Sequence, residues 1–386
     1  MKIAIMGAGL QAQAMAFDIA KNPQLERLII CDIDLSQAQK LARRLKSRKV
    51  EAQHANAARS QDVKRITKNV DCVIGATTYT HNVGLTEACI AAGTHFCDLG
   101  GNVDVVKAQK RLSSQAKSAG CTIVPDCGLA PGMANILAYH WSQAFDEVQH
   151  LNIRVGGLPA VPKTTLGYQL VFSVEGLINE YIEDCVIIQD GKRARVPGMT
   201  GLEKLSFGSE FGELEAFYTS GGTSTLPQTL AKKVRHLDYK TIRYAGHAQY
   251  IKFLLDLGLF SSQSVNFGKT SVVPRQLTAK LLTDFLPDAG PDIVLVRIDI
   301  EGRLGGQNQS RRYDAIVRYD PHTRLSAMQQ STGFSAAIVA QMLASGSVSK
   351  LGTVPQELAI HGETFLRELQ RRGIVFKEQD EIKTVT

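Results

Sequence analysis

Short apolar runs alternate with amphipathic stretches through the first third of the chain. Lys2–Met6, Leu28–Cys31, Val70–Ala76, Phe96–Leu99 and Cys121–Pro125 read as buried strands. Leu10–Lys21, Ser36–Arg48, Val83–Ala92 and Val103–Ser118 read as helices between them. Ser36 stands where a helix N-cap is wanted, and Gly93 where a helix ends. Strands separated by single helices predict βαβ units and a parallel sheet.

After Phe145 the period changes. Val148–Val155, Leu214–Tyr218, Ile293–Ile300 and Tyr313–Tyr319 alternate apolar with polar, as strands with one exposed face do. The polar, Gly-rich Glu301–Gln309 predicts a hairpin between the last two. Ser173–Tyr181 reads as a short helix capped by Ser173, and Ser335–Ala344 and Pro355–Arg372 as closing helices. The fold class expected is α/β, with a doubly wound Rossmann sheet at the N-terminus followed by a mixed α+β domain.

Composition narrows the functional class without naming it. The 386 residues are 44% hydrophobic and 21% charged, which is globular. The net charge of +7 is spread in small clusters such as Arg43–Arg44–Lys46 and Lys232–Lys233–Arg235. No concentrated basic face or nucleic-acid motif accompanies it, so the expected partners are small anions rather than nucleic acid. Seven cysteines, an odd number without a CxxC, indicate neither a disulfide framework nor a metal site. No run approaches the roughly 20 apolar residues of a membrane helix, and Met1 leads straight into a strand. A cytoplasmic protein is expected.

Gly7-Ala8-Gly9-Leu10-Gln11-Ala12 is GxGxxA between the first strand and the first helix. Gly7 allows the tight turn, Gly9 admits a pyrophosphate to the backbone, and Ala12 lets helix and strand pack. Leu10 opens the helix whose N-terminus faces the phosphates. Asp32 ends the second strand; a carboxylate there holds a ribose 2′-hydroxyl and repels a 2′-phosphate, so the cofactor expected is NAD. Its plainer role is to cap the loop that follows. Thr77 and Gly100, after two further strands, are expected to border the nicotinamide half.

Six further stretches carry a resemblance: Cys121–Leu137 (CTIVPDCGLAPGMANIL) with His95–Gly101 (HFCDLGG), Val155–Pro159 (VGGLP), Phe172–Gly176 (FSVEG), Glu215–Thr225 (EAFYTSGGTST) and Tyr239–His247 (YKTIRYAGH). Together they resemble the saccharopine dehydrogenase family, the last three its lysine 6-dehydrogenase branch. The resemblance implies a Rossmann domain of residues 1–126 plus about 325–386. It also implies an inserted α+β domain, 127–324, for substrate binding and dimerisation, hence a homodimer or higher homo-oligomer.

It also implies a reaction: NAD-dependent oxidation of the ε-carbon of L-lysine, with ammonia released and the 6-semialdehyde free to cyclise. Such chemistry needs a general base, a cation for the α-carboxylate and an acceptor for the α-ammonium. Arg243 is the candidate carboxylate clamp; its bland role is a surface ion pair. Lys240 is a possible base or second cation, or an ordinary solvated lysine. His247 is base, orienter, or a histidine bonded to backbone. Asp126 accepts from the amine or orients water, or else caps the next helix. Glu175 holds an ammonium or serves the helix dipole. Thr223 and Ser224, within Gly221–Thr225, offer carboxylate donors or form a turn. Cys127 reads as packing. The competing functions are saccharopine or carboxynorspermidine dehydrogenase, acting on a related imine, and a non-catalytic NAD-binding regulator.

Overall fold

The computed structural model describes residues 1–171, 173–287 and 290–381. Phe172 of the FSVEG stretch and residues 382–386 of the expected first domain lie outside them. The chain divides into two compact units: residues 1–141 with 329–375, and residues 142–328 with 376 onward. The first stretch of unit one therefore runs to Trp141, in the last turn of the helix that follows Asp126. The chain's last strand leaves the first unit again at Phe376.

The first unit is built from β1 (Lys2–Met6), α1 (Leu10–Ala20), β2 (Arg27–Asp32), α2 (Leu35–Leu45), β3 (Val50–His54), α3 (Ser60–Thr67), β4 (Cys72–Gly75), α4 (Asn82–Ala92), β5 (His95–Asp98), α5 (Val103–Arg111), α6 (Ser113–Ser118), β6 (Thr122–Val124) and α7 (Met133–Ser142). The helix expected over 103–118 is two helices, and α2 is capped by Asp34 rather than Ser36, its carboxylate accepting from the Ser36 amide at 2.9 Å. β3 and α3 were missed because VEAQH is too polar to read as a strand: it sits at a sheet edge, its residues only partly buried or exposed.

The second unit holds β7 (Glu147–Pro159), α8 (Val174–Ile182), β8 (Cys185–Gln189), β9 (Lys192–Val196), β10 (Glu203–Leu205), β11 (Leu214–Tyr218), α9 (Leu226–Leu230), β12 (Val234–Tyr244), α10 (His247–Asp256), β13 (Val265–Phe267), β14 (Thr270–Val272), α11 (Pro274–Phe285), β15 (Asp292–Leu304) and β16 (Gln307–Arg318). The chain then forms α12 (Ala327–Ala344), β17 (Gly352–Thr353), α13 (Gln356–Ala359), α14 (Gly362–Arg371) and β18 (Phe376–Glu381).

The first unit's sheet is parallel throughout, in the order β17-β6-β5-β4-β1-β2-β3. The order reverses direction between β1 and β4, where ligands of open α/β sheets bind. The second unit's sheet runs β10-β11-β12-β7-β15-β16-β18 with β8 and β9 alongside. It is mixed: β12 and β7 are parallel, their neighbours antiparallel. The expected hairpin is present but tighter, with Leu304 paired to Gln307 across Gly305–Gly306.

The two faces of this second sheet differ. β11 and β12 pair with Glu215 opposite Arg243, Phe217 opposite Thr241 and Tyr218 opposite Lys240. Side chains alternate along a strand, so Glu215, Phe217, Tyr239, Thr241 and Arg243 share one face. Tyr218, Asp238, Lys240 and Ile242 share the other. Over the first face lies a core of Tyr168, Leu177, Ile178, Tyr181, Phe217, Ala248 and Ile251, drawn largely from α8 and α10. Beneath the second is another, with Leu158, Phe207, Phe211, Ala216 and Ile242.

Candidate functional site

In the first unit the glycine-rich turn is shaped as its sequence requires. Gly7 has φ +110°, and a Cβ there would stand 2.5 Å from the Ala76 carbonyl oxygen, so only glycine fits between β1 and β4. Gly9 precedes α1 with nothing within 4 Å of the place a Cβ would occupy. No side chain caps that helix, so its first N–H groups are available to an anion. Ala12 is buried against the sheet and Leu10 is half exposed. Thr77 follows β4, and its buried hydroxyl finds no hydrogen-bond partner among the described residues. Turn, open helix end and spare hydroxyl fit a dinucleotide.

Asp32 does two things. One carboxylate oxygen accepts from the Ala8 amide at 2.7 Å, the other from the Asp34 amide at 2.9 Å. It thus buttresses the glycine turn while also capping its own loop. Beyond it stand the exposed Ile33 and a second carboxylate, Asp34.

At the carboxyl ends of β5 and β6 a residue not singled out from sequence organises the loops. Asp98 is fully buried; one oxygen accepts from both the Gly100 amide (2.8 Å) and the Asp126 amide (3.1 Å), the other from Gln109 Nε2 at 2.7 Å. Burial pushes its carboxyl up to about 6, against the pull of those donors. Asp126 itself is buried and held at φ +62°. A Cβ on Gly100 (φ +76°) would lie 1.9 Å from its Oδ1. The glycine in HFCDLGG therefore makes room for this carboxylate. Cys127 is buried, its thiol facing the Val124 carbonyl at 3.2 Å.

In the second unit Arg243 is buried beneath Tyr168, its guanidinium carbon 4.7 Å from the ring centroid. Nη1 donates to the Ile242 carbonyl at 3.0 Å. Nε has no partner among the described residues, and Nη2 lies 4.0 Å from the Glu180 carboxylate, beyond hydrogen-bond reach. Nε is thus a buried donor without a partner among the described residues, while the Tyr181 phenol also lies beside the guanidinium. The Tyr168 hydroxyl is also buried without a hydrogen-bond partner among the described residues. Glu180, on α8, is pushed up to about 7 by loss of solvent, with Arg243 pulling the other way.

The remaining candidates fall elsewhere. His247, at the start of α10, is buried; Nδ1 meets the Leu166 carbonyl at 2.8 Å and Nε2 the Tyr181 hydroxyl at 2.9 Å. A carbonyl only accepts, so Nδ1 carries the proton and Nε2 accepts from tyrosine. Burial, then Arg243, holds the imidazole down at about 3. It is held neutral, with both nitrogens engaged. Lys240 lies on the opposite face of the sheet from Arg243, paired with Glu203 at 2.5 Å in a cluster with Arg154, Asp238 and Tyr218. Neither the solvated lysine nor a partner of Arg243 is what strand alternation delivers. Glu175 is exposed and ion-paired to Arg275 at 2.6 Å. Thr223 is buried and donates to the Val186 carbonyl at 3.1 Å; Ser224 sits at φ +45° in the turn closed onto Gly221.

Residues 3–124 match the family model of the saccharopine dehydrogenase NADP binding domain, and residues 128–374 that of the saccharopine dehydrogenase C-terminal domain. The chain belongs to the saccharopine dehydrogenase family. Among its relatives in that family is saccharopine dehydrogenase [NADP(+), L-glutamate-forming] of Pyricularia oryzae, 25% identical over 223 residues, covering 55% of this chain and 48% of the relative. The Saccharomyces cerevisiae protein of the same name is 22% identical over 282 residues, covering 68% and 59%. Mitochondrial alpha-aminoadipic semialdehyde synthase of Rattus norvegicus is 21% identical over 456 residues, covering 99% and 48%. The chain spans about half the length of the curated relatives it matches. Apo saccharopine dehydrogenase (L-Glu forming) from Saccharomyces cerevisiae has the same fold, with a TM-score of 0.81 at 17% identity over 98% of this chain and 99% of that one.

Two members of the site, Glu180 and Tyr168, carried no sequence signal. Glu180 lies in NEYIED, whose charge reads as solvated helix surface, and Tyr168 in a stretch without period. Only packing of α8 and the 164–171 segment onto β12 brings them to Arg243.

Proposed function

We propose that this protein is an NAD-dependent oxidoreductase of a lysine-related amino acid, oxidising the ε-carbon of L-lysine to the 6-semialdehyde with release of ammonia. One observation carries the reading: a buried guanidinium whose Nε has no partner among the described residues and whose Nη2 is not closed onto Glu180. A desolvated arginine with an unfilled donor next to a second one is the kind of fork a carboxylate fits. Arg243 is the single buried cation on its face of the sheet among the described residues, because Lys240, Arg154 and Arg297 all lie on the other. One cation suits a substrate with one carboxylate. That favours lysine over saccharopine, which carries three. Asp126, set in place by Asp98, takes the ammonium proton or orients the attacking water; His247 keeps Tyr181 and α8 in register.

A bound nicotinamide supplies the hydride acceptor. NAD is the form favoured, because Asp32 and Asp34 bring two carboxylates to the end of β2, where a 2′-phosphate needs cations. Both relatives named saccharopine dehydrogenase carry NADP(+) in their names, and the family model is that of an NADP binding domain, so the coenzyme is an outcome of the same test. Purified protein is mixed with L-lysine at about pH 9–10, where the ε-amine is substantially deprotonated. Absorbance of the reduced coenzyme is followed with NAD and NADP in parallel, and with saccharopine as a second substrate. NADH from lysine supports the reading. Turnover of saccharopine alone moves the chain to the activity its relatives are named for. Cofactor binding without turnover of either substrate makes it a regulator.

A further inference from the structure

Glu180 sits where a carboxylate is poorly served. It occupies the last turn of α8, the negative end of the helix dipole. Its side chain is 32% exposed, and it accepts no hydrogen bond from the described residues. Its nearest cation, Arg243 Nη2, is 4.0 Å away. Its other neighbours by charge are phenols and a thiol, Tyr168, Tyr181, Tyr239 and Cys185, none cationic. A carboxylate and a guanidinium face each other across a gap that neither closes, and each keeps unfilled hydrogen-bonding capacity. Unfilled charge of both signs, side by side, complements a ligand that bears both signs on adjacent atoms. The α-carbon of an amino acid is such a ligand.

We infer that Glu180 and Arg243 together form a subsite for an α-amino acid head group, Glu180 holding the α-ammonium while Arg243 holds the α-carboxylate. The inference rests on the carboxylate assignment above and adds a specificity-determining residue. It predicts that the protein reads the α-amino group, not merely a carboxylate at a fixed distance from an amine. No bond is made or broken here; Glu180 binds as the anion.

The test compares L-lysine with 6-aminohexanoate, which lacks only the α-amino group, in wild type and Glu180→Gln. A hydrogen bond between charged groups is lost in the analogue and weakened in the variant, so wild type should prefer lysine by about 10- to 100-fold in kcat/KM. Glu180→Gln should lose about that factor on lysine and keep its rate on 6-aminohexanoate within about 3-fold. The contribution of the Glu180 carboxyl to the wild-type acid limb, expected near 7, should be missing in the variant, which keeps the limb set by the substrate's ε-ammonium. An equal loss on both substrates, or no loss on either, overturns the inference; melting temperatures identify a variant that merely fails to fold. If wild type ignores lysine but oxidises saccharopine, the lysine reading fails alone. The comparison then uses saccharopine and its analogue without the α-amino group, with the same two results deciding. If neither turns over, calorimetry with L-lysine on the NAD-loaded protein decides: binding lost in Glu180→Gln supports the subsite, and equal or absent binding in wild type sinks it.

Discussion

Arg243→Lys isolates the geometry of the guanidinium from its charge. The variant keeps a cation beside Glu180, so no buried carboxylate is left uncompensated and the fold should survive. It removes the planar fork. In the wild type Nη1 is tied to the Ile242 carbonyl, Nε is buried without a partner among the described residues, and Nη2 stands 4.0 Å from Glu180. A carboxylate on the Nε–Nη2 edge receives two parallel charge-assisted bonds. A lysine ammonium, reaching less far along the same path, restores at most one. The loss is then one charged hydrogen bond, about 1.5–3 kcal/mol, which is about 10- to 150-fold in kcat/KM. The assay is initial-rate NADH formation with L-lysine. The control substrate is 1,5-diaminopentane, which offers the same amine without a carboxylate and should change by less than about 3-fold. Retention of wild-type kcat/KM on lysine refutes the clamp. So does an equal loss on the diamine, which would mean that Arg243 acts by holding the fold.

Two further substitutions separate structure from chemistry. Lys240→Met removes one partner of a buried ion-pair cluster in which Glu203 still keeps Arg154; it should cost about 1–2 kcal/mol of stability by chemical denaturation, with kcat/KM within about 3-fold, and loss of turnover at unchanged stability would make Lys240 the base after all. His247, held at about 3 when folded and near 6.5 when unfolded, leaves the unfolded state binding more protons between those values. Stability should be full above about 6.5 and fall by about 2 kcal/mol from pH 7 to pH 5. His247→Gln should show a shallower decline, and identical slopes would mean the buried imidazole is charged.

The periodic pattern by itself determined the nucleotide-binding half. Strand β1, the GxGxxA turn, α1 and Asp32 lie within 32 residues, and each has a local requirement written in its residue type. Gly7 must have positive φ, Ala12 must be small, and Asp32 must stand at a strand end. The alternating β7, β11, β15 and β16 were legible for the same reason, since a half-buried strand repeats every two residues. The wider family could be read because its motifs are short and contiguous.

The substrate half was decided in three dimensions. Lys240 and Arg243 are three residues apart in one motif, and three is odd. In an extended strand that puts them on opposite faces, so one belongs to an ion-pair cluster and the other to the fork. The sequence showed YKTIRY as polar without showing that it was β12, because Lys240 is buried against Glu203, 37 residues away, and Arg243 is buried beneath Tyr168. Glu175 and Glu180, both in α8, part in the same way: α8 turns Glu175 to Arg275 at the surface and Glu180 toward Arg243. His247 could have been a base in any environment that kept it wet. Burial beside a guanidinium holds its imidazole neutral, and only tertiary packing supplies burial.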